Sequence, residues 1–220
     1  MNFIGHATVA LWTSRVPAFV LGAMLPDLVN MAGLRLPREL PRGPLAEGVS
    51  HHHQTDALFH AEPSFLVWTQ YTLDRLSQLG VARGPARAVA HVGAEMLLDG
   101  ELLGRPEVVD AYEAALGELA RVRSLFTEPE QRTRWAQLEG RLRAHGTPYD
   151  YRNTDAVLER LIRVFQGRKR LAIDAPSERI VRSVLPDLQR HVVVETPHLL
   201  ASLRRQLENI GGPADGAVLV

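Results

Sequence analysis

The 220-residue sequence contains no cysteine. This absence excludes disulfide bonds, thiolate metal ligands and cysteine nucleophiles within the chain, and it is typical of a reducing compartment. Neither sign of charge is in excess, because 25 lysines and arginines balance 25 aspartates and glutamates. A chain of zero net charge gives no reason to expect general binding to nucleic acid or to an anionic membrane.

Long apolar runs are scarce as well. The apolar run Val16–Leu25 has ten residues, whereas a helix needs about 20 to cross a bilayer. No positively charged segment precedes this run, and no small-residue cleavage site stands out, as a signal peptide would require. We therefore expect a cytoplasmic protein without an integral membrane segment.

Two common catalytic motifs are missing from the chain. It has no Gly-x-x-x-x-Gly-Lys phosphate loop and no Gly-x-Ser-x-Gly nucleophile elbow. Neither a P-loop NTPase nor a serine hydrolase with that elbow is therefore supported. Histidine is present in number instead, with nine in the chain. Histidine and carboxylate side chains are the remaining candidates for chemistry, and together they suit divalent metal ions.

Apolar residues recur at helical spacing along most of the chain, and no alternating strand pattern of useful length is found. We therefore predict an all-α fold, a single-domain compact helical bundle over residues 1–210 with a flexible tail at 211–220. Three prolines, at 26, 186 and 197, are expected to end or kink their helices. The patterned helices span Ala18–Val29, Ser64–Leu79, Pro85–Leu103, Pro106–Leu125, Glu128–Ala144, Asn153–Gln166 and Ser177–Glu208.

The densest chemical signal lies between Val49 and His60, after a predicted loop over Met31–Gly48. If this stretch is helical, His52, Asp56 and His60 are spaced i, i+4 and i+8 and project from one face. Imidazole and carboxylate groups one turn apart suit Mn, Fe or Zn. A solvated polar run is the alternative for the three consecutive histidines, but it leaves Asp56 and His60 unexplained.

A second ladder of the same pitch follows, with His91, Glu95 and Asp99 at i, i+4 and i+8. Two such faces packed against each other would converge on a space of cation size, which is how helical bundles build metal sites. A third ladder is interrupted by a proline and is expected at the surface or behind the ligands; its members are His191, Glu195 and His198.

Two further candidates stand in apolar surroundings near the start of the chain. His6 lies between Gly5 and Ala7, and Asp27 follows an apolar run. Each also has a purely structural interpretation, as a core histidine bonded to a carbonyl and as an aspartate capping a turn. An arginine-rich segment, 160–170, is either a solvated helix face or a docking surface for an acidic partner.

Several segments resemble the bacterial acyl carrier protein phosphodiesterases, helical relatives of the HD-domain phosphohydrolases. The opening Met1–Ala7 is similar to the start of that family, and the Gly48–Asp56 segment matches its Gly-Val…His-x-x-x-Asp spacing. The other similar segments are Leu21–Asp27, His91–Glu95, Tyr151–Arg152 and Asp187–His191. The chain departs from the family at His53 and Gln54, where the family has arginines. His60 and His91 stand where the family has acidic residues.

The resemblance implies an HD-domain-like, divalent-metal phosphodiesterase that releases 4′-phosphopantetheine from holo acyl carrier protein, with Mn as the metal. We therefore predict a metal-dependent phosphohydrolase. Fe, Zn or Mg are alternatives to Mn. The predicted metal ligands are His6, Asp27, His52, Asp56 and His91. The predicted proton-transfer residues are His53, Glu95 and Asp99, and His60 is expected to orient a ligand.

Two alternative functions stay open from the sequence. One is a metal-dependent hydrolase of another small phosphate ester or of a lipid headgroup. The other is a non-catalytic, metal-stabilised helical binding protein, in which the arginine-rich segment 160–170 would dock an acidic partner. Chelation distinguishes an enzyme, which loses turnover, from a structural site, which loses helix content.

Overall fold

The computed structural model of the protein describes residues 1–211, and within this range every regular element is helical, which confirms the predicted all-α class. None of these helices is both long and apolar enough to span a bilayer. Two 3-10 helices, Leu119–Leu125 and Tyr149–Arg152, accompany nine α-helices. The α-helices are α1 Phe3–Ala10, α2 Pro17–Met31, α3 Pro44–Ala61, α4 Pro63–Gln78, α5 Arg83–Leu102, α6 Pro106–Gly117, α7 Pro129–His145, α8 Thr154–Phe165 and α9 Ala175–Gly211.

The helices pack around α5, which contacts α1, α4, α8 and α9. Twelve of the 20 residues of α5 are buried, so this helix is surrounded on several sides, as expected for the centre of a helical core. The short helix α1 is almost wholly enclosed, with seven of its eight residues buried. It lies against α2, α3, α5 and α6.

Helices α2 and α3 cross at two glycines that face each other, Gly22 and Gly48. A β-carbon on Gly48 would lie 2.1 Å from the carbonyl oxygen of Phe19, and one on Gly22 would lie 2.2 Å from that of Leu45. Because real β-carbons do not approach this closely, only glycine permits the backbones to come this near. The crossing places α3, with its histidines, directly over α2.

The three prolines do not end their helices, although the sequence predicted that each would end or kink its helix. Pro26 lies inside α2, and Pro186 and Pro197 lie inside α9. A proline removes one hydrogen bond and crowds the preceding turn, but α2 packs against three other helices and α9 against four. Tertiary burial therefore outweighs the local cost.

Other boundaries also differ from those predicted. Helix α3 begins at Pro44, so the loop ends at Gly43, five residues before the predicted end at Gly48. Helix α6 ends at Gly117, before a separate 3-10 helix. Proline at the first helical position explains the early start of α3, because its missing N–H has no partner there in any case. Except for Gly211, the tail predicted at 211–220 lies outside the described residues.

Candidate metal centre

Helix α1 carries His6, and a residue far along the chain fixes the position of this helix. No side chain of its own caps α1. Instead, Asp99 of α5 accepts hydrogen bonds from the backbone amides of Ile4, at 3.2 Å, and Gly5, at 2.8 Å. These are the second and third amides of the helix, the ones that an N-cap side chain normally binds. Asp99 thus anchors the turn that bears His6.

The buried cluster consists of His6, His52 and Asp56, whose ligand atoms lie within 4.8 Å of one another. The His6 and His52 rings stack with centroids 4.1 Å apart. His6 Nε2 lies 3.5 Å from Asp56 Oδ1 and 3.4 Å from Asp27 Oδ2, so α2 contributes a second carboxylate. Helices α1, α2 and α3 therefore converge on one imidazole.

His52 is held in one tautomer by the backbone of α2. Its Nδ1 lies 2.8 Å from the carbonyl oxygen of Ala23, and because a carbonyl only accepts, Nδ1 carries the hydrogen. Burial and the neighbouring His6 lower the pKa of His52 to about 4. The ring is therefore neutral near pH 7, and its Nε2 is left with a free lone pair, the form that binds metals.

The rim cluster consists of His60, His91 and Glu95, all of them partly exposed. Glu95 Oε1 lies 3.2 Å from His60 Nε2 and 3.4 Å from His91 Nε2. The two imidazoles stack nearly parallel, with centroids 5.1 Å apart, and the edge of Phe65 closes one side of both rings. The carboxylates of Asp56 and Glu95 raise the pKa of His60 to about 9, against the effect of burial.

Asp56 joins the two clusters. Its Oδ1 faces His6, whereas its Oδ2 lies 3.2 Å from His60 Nδ1. The α-amino group of Met1 also lies between the clusters, 2.7 Å from Asp56 Oδ1 and 3.4 Å from Glu95 Oε1. Although burial opposes ionisation, the imidazoles and this ammonium group hold the pKa of both carboxyls well below its usual range.

The structure does not bring all of the predicted residues together. His53 lies exposed on α3, with its ring edge against His52. Asp99 is completely buried and faces the amides of α1, which favours an anchoring role over the predicted proton transfer. The two histidines of the third ladder, His191 and His198, are exposed at the surface, which was one of the two expectations, and the His191 ring meets that of Tyr71 edge to face.

Three features of the centre were not predicted from the sequence. His60 forms the rim cluster with His91 and Glu95, whereas its spacing had placed it on the face of His52 and Asp56, where it was expected to orient a ligand. No sequence pattern indicates that the amino group of Met1 lies between the two clusters. His51 is buried against Phe19, and its Nε2 has no hydrogen-bond partner in the described part of the chain.

The residues present fit a divalent cation. His6 is fully buried, and neither of its ring nitrogens makes a hydrogen bond within residues 1–211, although two carboxylate oxygens lie within 3.5 Å of Nε2. A buried polar atom without a partner is costly, and a shared cation would satisfy the imidazole and both carboxylates at once. Nitrogen and carboxylate oxygen donors without sulfur suit Mn, Fe or Zn.

Comparison with known proteins adds no relative to this picture. No protein-family model matches the chain, and neither a curated protein nor a solved structure does. The functional assignment therefore depends on the geometry of the two clusters.

Proposed function

We propose that the protein is a divalent-metal-dependent phosphohydrolase that acts on a phosphodiester. The observation that carries the proposal is the buried, unpartnered imidazole of His6 between the carboxylates of Asp27 and Asp56. The cation would be held by His6, His52, Asp56 and Asp27. Such a cation would lower the pKa of a bound water and polarise the phosphoryl group. The resemblance to the acyl carrier protein phosphodiesterases supports the same chemistry and makes Mn the first metal to test.

The rim cluster supplies the proton-transfer groups in this proposal. Glu95 Oε1 accepts a hydrogen bond from the attacking water and orients it, and His60 and His91, 3.2 Å and 3.4 Å away, fix the orientation of that carboxylate. The water oxygen forms a bond to phosphorus and releases its proton to solvent, and the ester P–O bond breaks. The oxygen of the leaving alcohol takes a proton from His60, whose raised pKa keeps it protonated near pH 7. The products are an alcohol and a phosphate monoester.

Hydrolysis by chelator-stripped protein tests the proposal directly. Mn, Fe, Zn or Mg is added back to separate samples, and each sample receives an aryl phosphodiester, an aryl phosphomonoester or holo acyl carrier protein. We expect turnover only with metal, greatest on a diester. Turnover of the holo carrier protein would support the activity that the resemblance implies.

Two variants test whether metal binding and turnover depend on the candidate centre and not on histidines elsewhere at the surface. Asp56→Asn keeps the shape of the side chain but removes the charge that both clusters share, so we expect it to lose metal binding and turnover together. His191→Gln removes an exposed histidine on α9 and should retain both. Bound metal without turnover on any substrate would instead favour the metal-stabilised binding protein, whose helix content should fall on chelation. Absence of metal binding would refute the site.

A further inference from the structure

A groove between α4 and α5 opens beside the rim cluster. It encloses about 430 Å³, and both His60 and His91 line it. Such a volume lies within the usual range for small-molecule sites, roughly 300–1,000 Å³. The groove therefore gives the candidate centre a neighbouring space large enough for part of a substrate.

The register of the two helices defines what lies along this groove. Only four residues connect α4 to α5, so the two neighbours run antiparallel, and the contact between Phe65 and His91, with centroids 5.2 Å apart, fixes their alignment. On α5, Arg87 lines the groove one turn from His91, and Arg83 lines it one turn further from the rim cluster. Two turns correspond to about 12 Å along the helix axis.

The far end of the groove is cationic, and no counter-ion lies there within residues 1–211. Arg83 and Arg87 are exposed, and neither makes an ion pair with any acidic group among residues 1–211. No carboxylate lines the groove within this part of the chain. Guanidinium groups bind carboxylates and phosphates in bidentate geometry, so two of them left unpaired beside a cavity complement an anion.

The wall between the two ends is largely apolar. Phe65, Leu66 and Leu73 of α4 line it together with Ala90 of α5, and Thr69 and Gln70 are its polar members. Leu66 is 51% exposed, so a ligand lying there would remove apolar surface from water and be stabilised accordingly. The groove thus presents a sequence of imidazoles, apolar side chains and guanidinium groups.

We propose that the substrate is a small phosphate ester with a second anionic group, a carboxylate or phosphate, joined to it by an apolar segment of about 10 Å. This inference depends on the proposed function, because it assumes that the scissile phosphate lies at the two clusters. Arg83 and Arg87 bind the distal anion, and the apolar wall contacts the segment between. These two arginines are specificity-determining residues and stand apart from the groups that transfer protons.

Equilibrium binding to the Mn-loaded protein tests the two-anion requirement without turnover. One probe is an alkyl phosphonate whose far end is a carboxylate, and the other is the same phosphonate ending in a methyl group. We expect the wild type to bind the first probe at least about tenfold more tightly, as two charge-assisted contacts would allow. In the double variant Arg83→Gln, Arg87→Gln the ratio should fall close to one.

Arg75→Gln is the matched control, because Arg75 is an exposed arginine at the end of α4 that does not line the groove. It should keep the wild-type ratio. Equal affinity of the wild type for both probes, or an equal fall of the ratio in the double variant and in Arg75→Gln, would overturn the inference. If the wild type prefers the carboxylate-ended probe but hydrolyses no ester, the anion site is supported and the phosphohydrolase is refuted. If it hydrolyses an aryl diester with metal but binds the two probes equally, the phosphohydrolase is supported and the anion site is refuted.

Discussion

Replacing Gly48 with alanine should disturb both the stability of the protein and its candidate metal centre. The new β-carbon would lie 2.1 Å from the carbonyl oxygen of Phe19 and 2.8 Å from the α-carbon of Gly22, whereas ordinary contacts begin near 3.4 Å. Both obstacles are backbone atoms, which no rotamer change can move. Helices α2 and α3 must therefore separate by roughly 1 Å, as overpacked cores do through backbone shifts.

The expected loss of stability follows from two opposing effects. Overpacking of a well-packed interface costs about 1–3 kcal/mol and sometimes more, and a clash with backbone belongs at the upper end. Alanine gains about 1 kcal/mol over glycine in helix propensity. We expect the free energy of unfolding, measured by urea titration, to fall by about 2 kcal/mol in Gly48→Ala.

The same separation should weaken metal binding. His52 and Asp56 lie one and two turns beyond Gly48 on α3, whereas Asp27 belongs to α2. Protein ligands hold a metal within about 0.2 Å of its preferred distances, so a shift of roughly 1 Å between the helices would remove at least one ligand. Calorimetric titration with Mn should show a drop in affinity of at least about tenfold.

Gly140→Ala provides the matched control, since the substitution is the same and also lies inside a helix. A β-carbon on Gly140 would have no atom within 4 Å, so helix propensity alone should act and raise stability by about 0.5–1 kcal/mol. If Gly48→Ala were as stable as Gly140→Ala, the close crossing of α2 and α3 would be refuted. If stability fell while Mn affinity stayed unchanged, the crossing would not position the ligands.

Three further outcomes are expected. Asp99→Asn replaces one acceptor oxygen with a donor that faces an amide of α1, so the free energy of unfolding should fall by about 1–3 kcal/mol; a variant as stable as the wild type would contradict the capping role. Because burial raises the pKa of Asp99 to about 7, the folded protein binds more protons than the unfolded chain between about pH 4 and pH 7. The stability advantage of the wild type over Asp99→Asn should therefore shrink between pH 5 and pH 8 in urea titrations, and an advantage that grows with pH would refute this pKa assignment. His52→Gln should lower Mn affinity at least about tenfold, whereas the exposed His191→Gln should not, and equal affinities in calorimetry would exclude His52 as a ligand.

Helical spacing was a sound guide to which side chains share a face. His91 and Glu95 meet at the rim cluster as their i, i+4 spacing predicts, and the faces of α3 and α5 do converge there. The spacing did not show that the ladder on α3 is divided between two clusters. Two turns of helix separate His52 from His60 by about 12 Å, more than one cation can bridge, so each imidazole finds its partners on a different neighbouring helix.

Tertiary contacts explain what the sequence could not reveal. Asp99 continues the ladder of His91 and Glu95 by one turn, yet the amides of α1 occupy its oxygens. Nothing local marks that contact, because the capped helix lies more than 90 residues away. Pro26 likewise suggests a helix end by local rules, whereas α2 continues through it and packs against α1, α3 and α6.

The capping of α1 by Asp99 has a consequence for the order of events during synthesis. The bond from Gly5 to Asp99 spans 94 residues of chain, and ribosomes add about 5–20 residues per second. A helix as short as α1 is marginal alone in water, so its apolar residues must wait several seconds before their partner helix exists. Asp99 and all four proposed cation ligands nevertheless lie within the first 99 residues, and α8 and α9 follow later. The capacity to bind a cation can therefore arise before the second half of the core is synthesised.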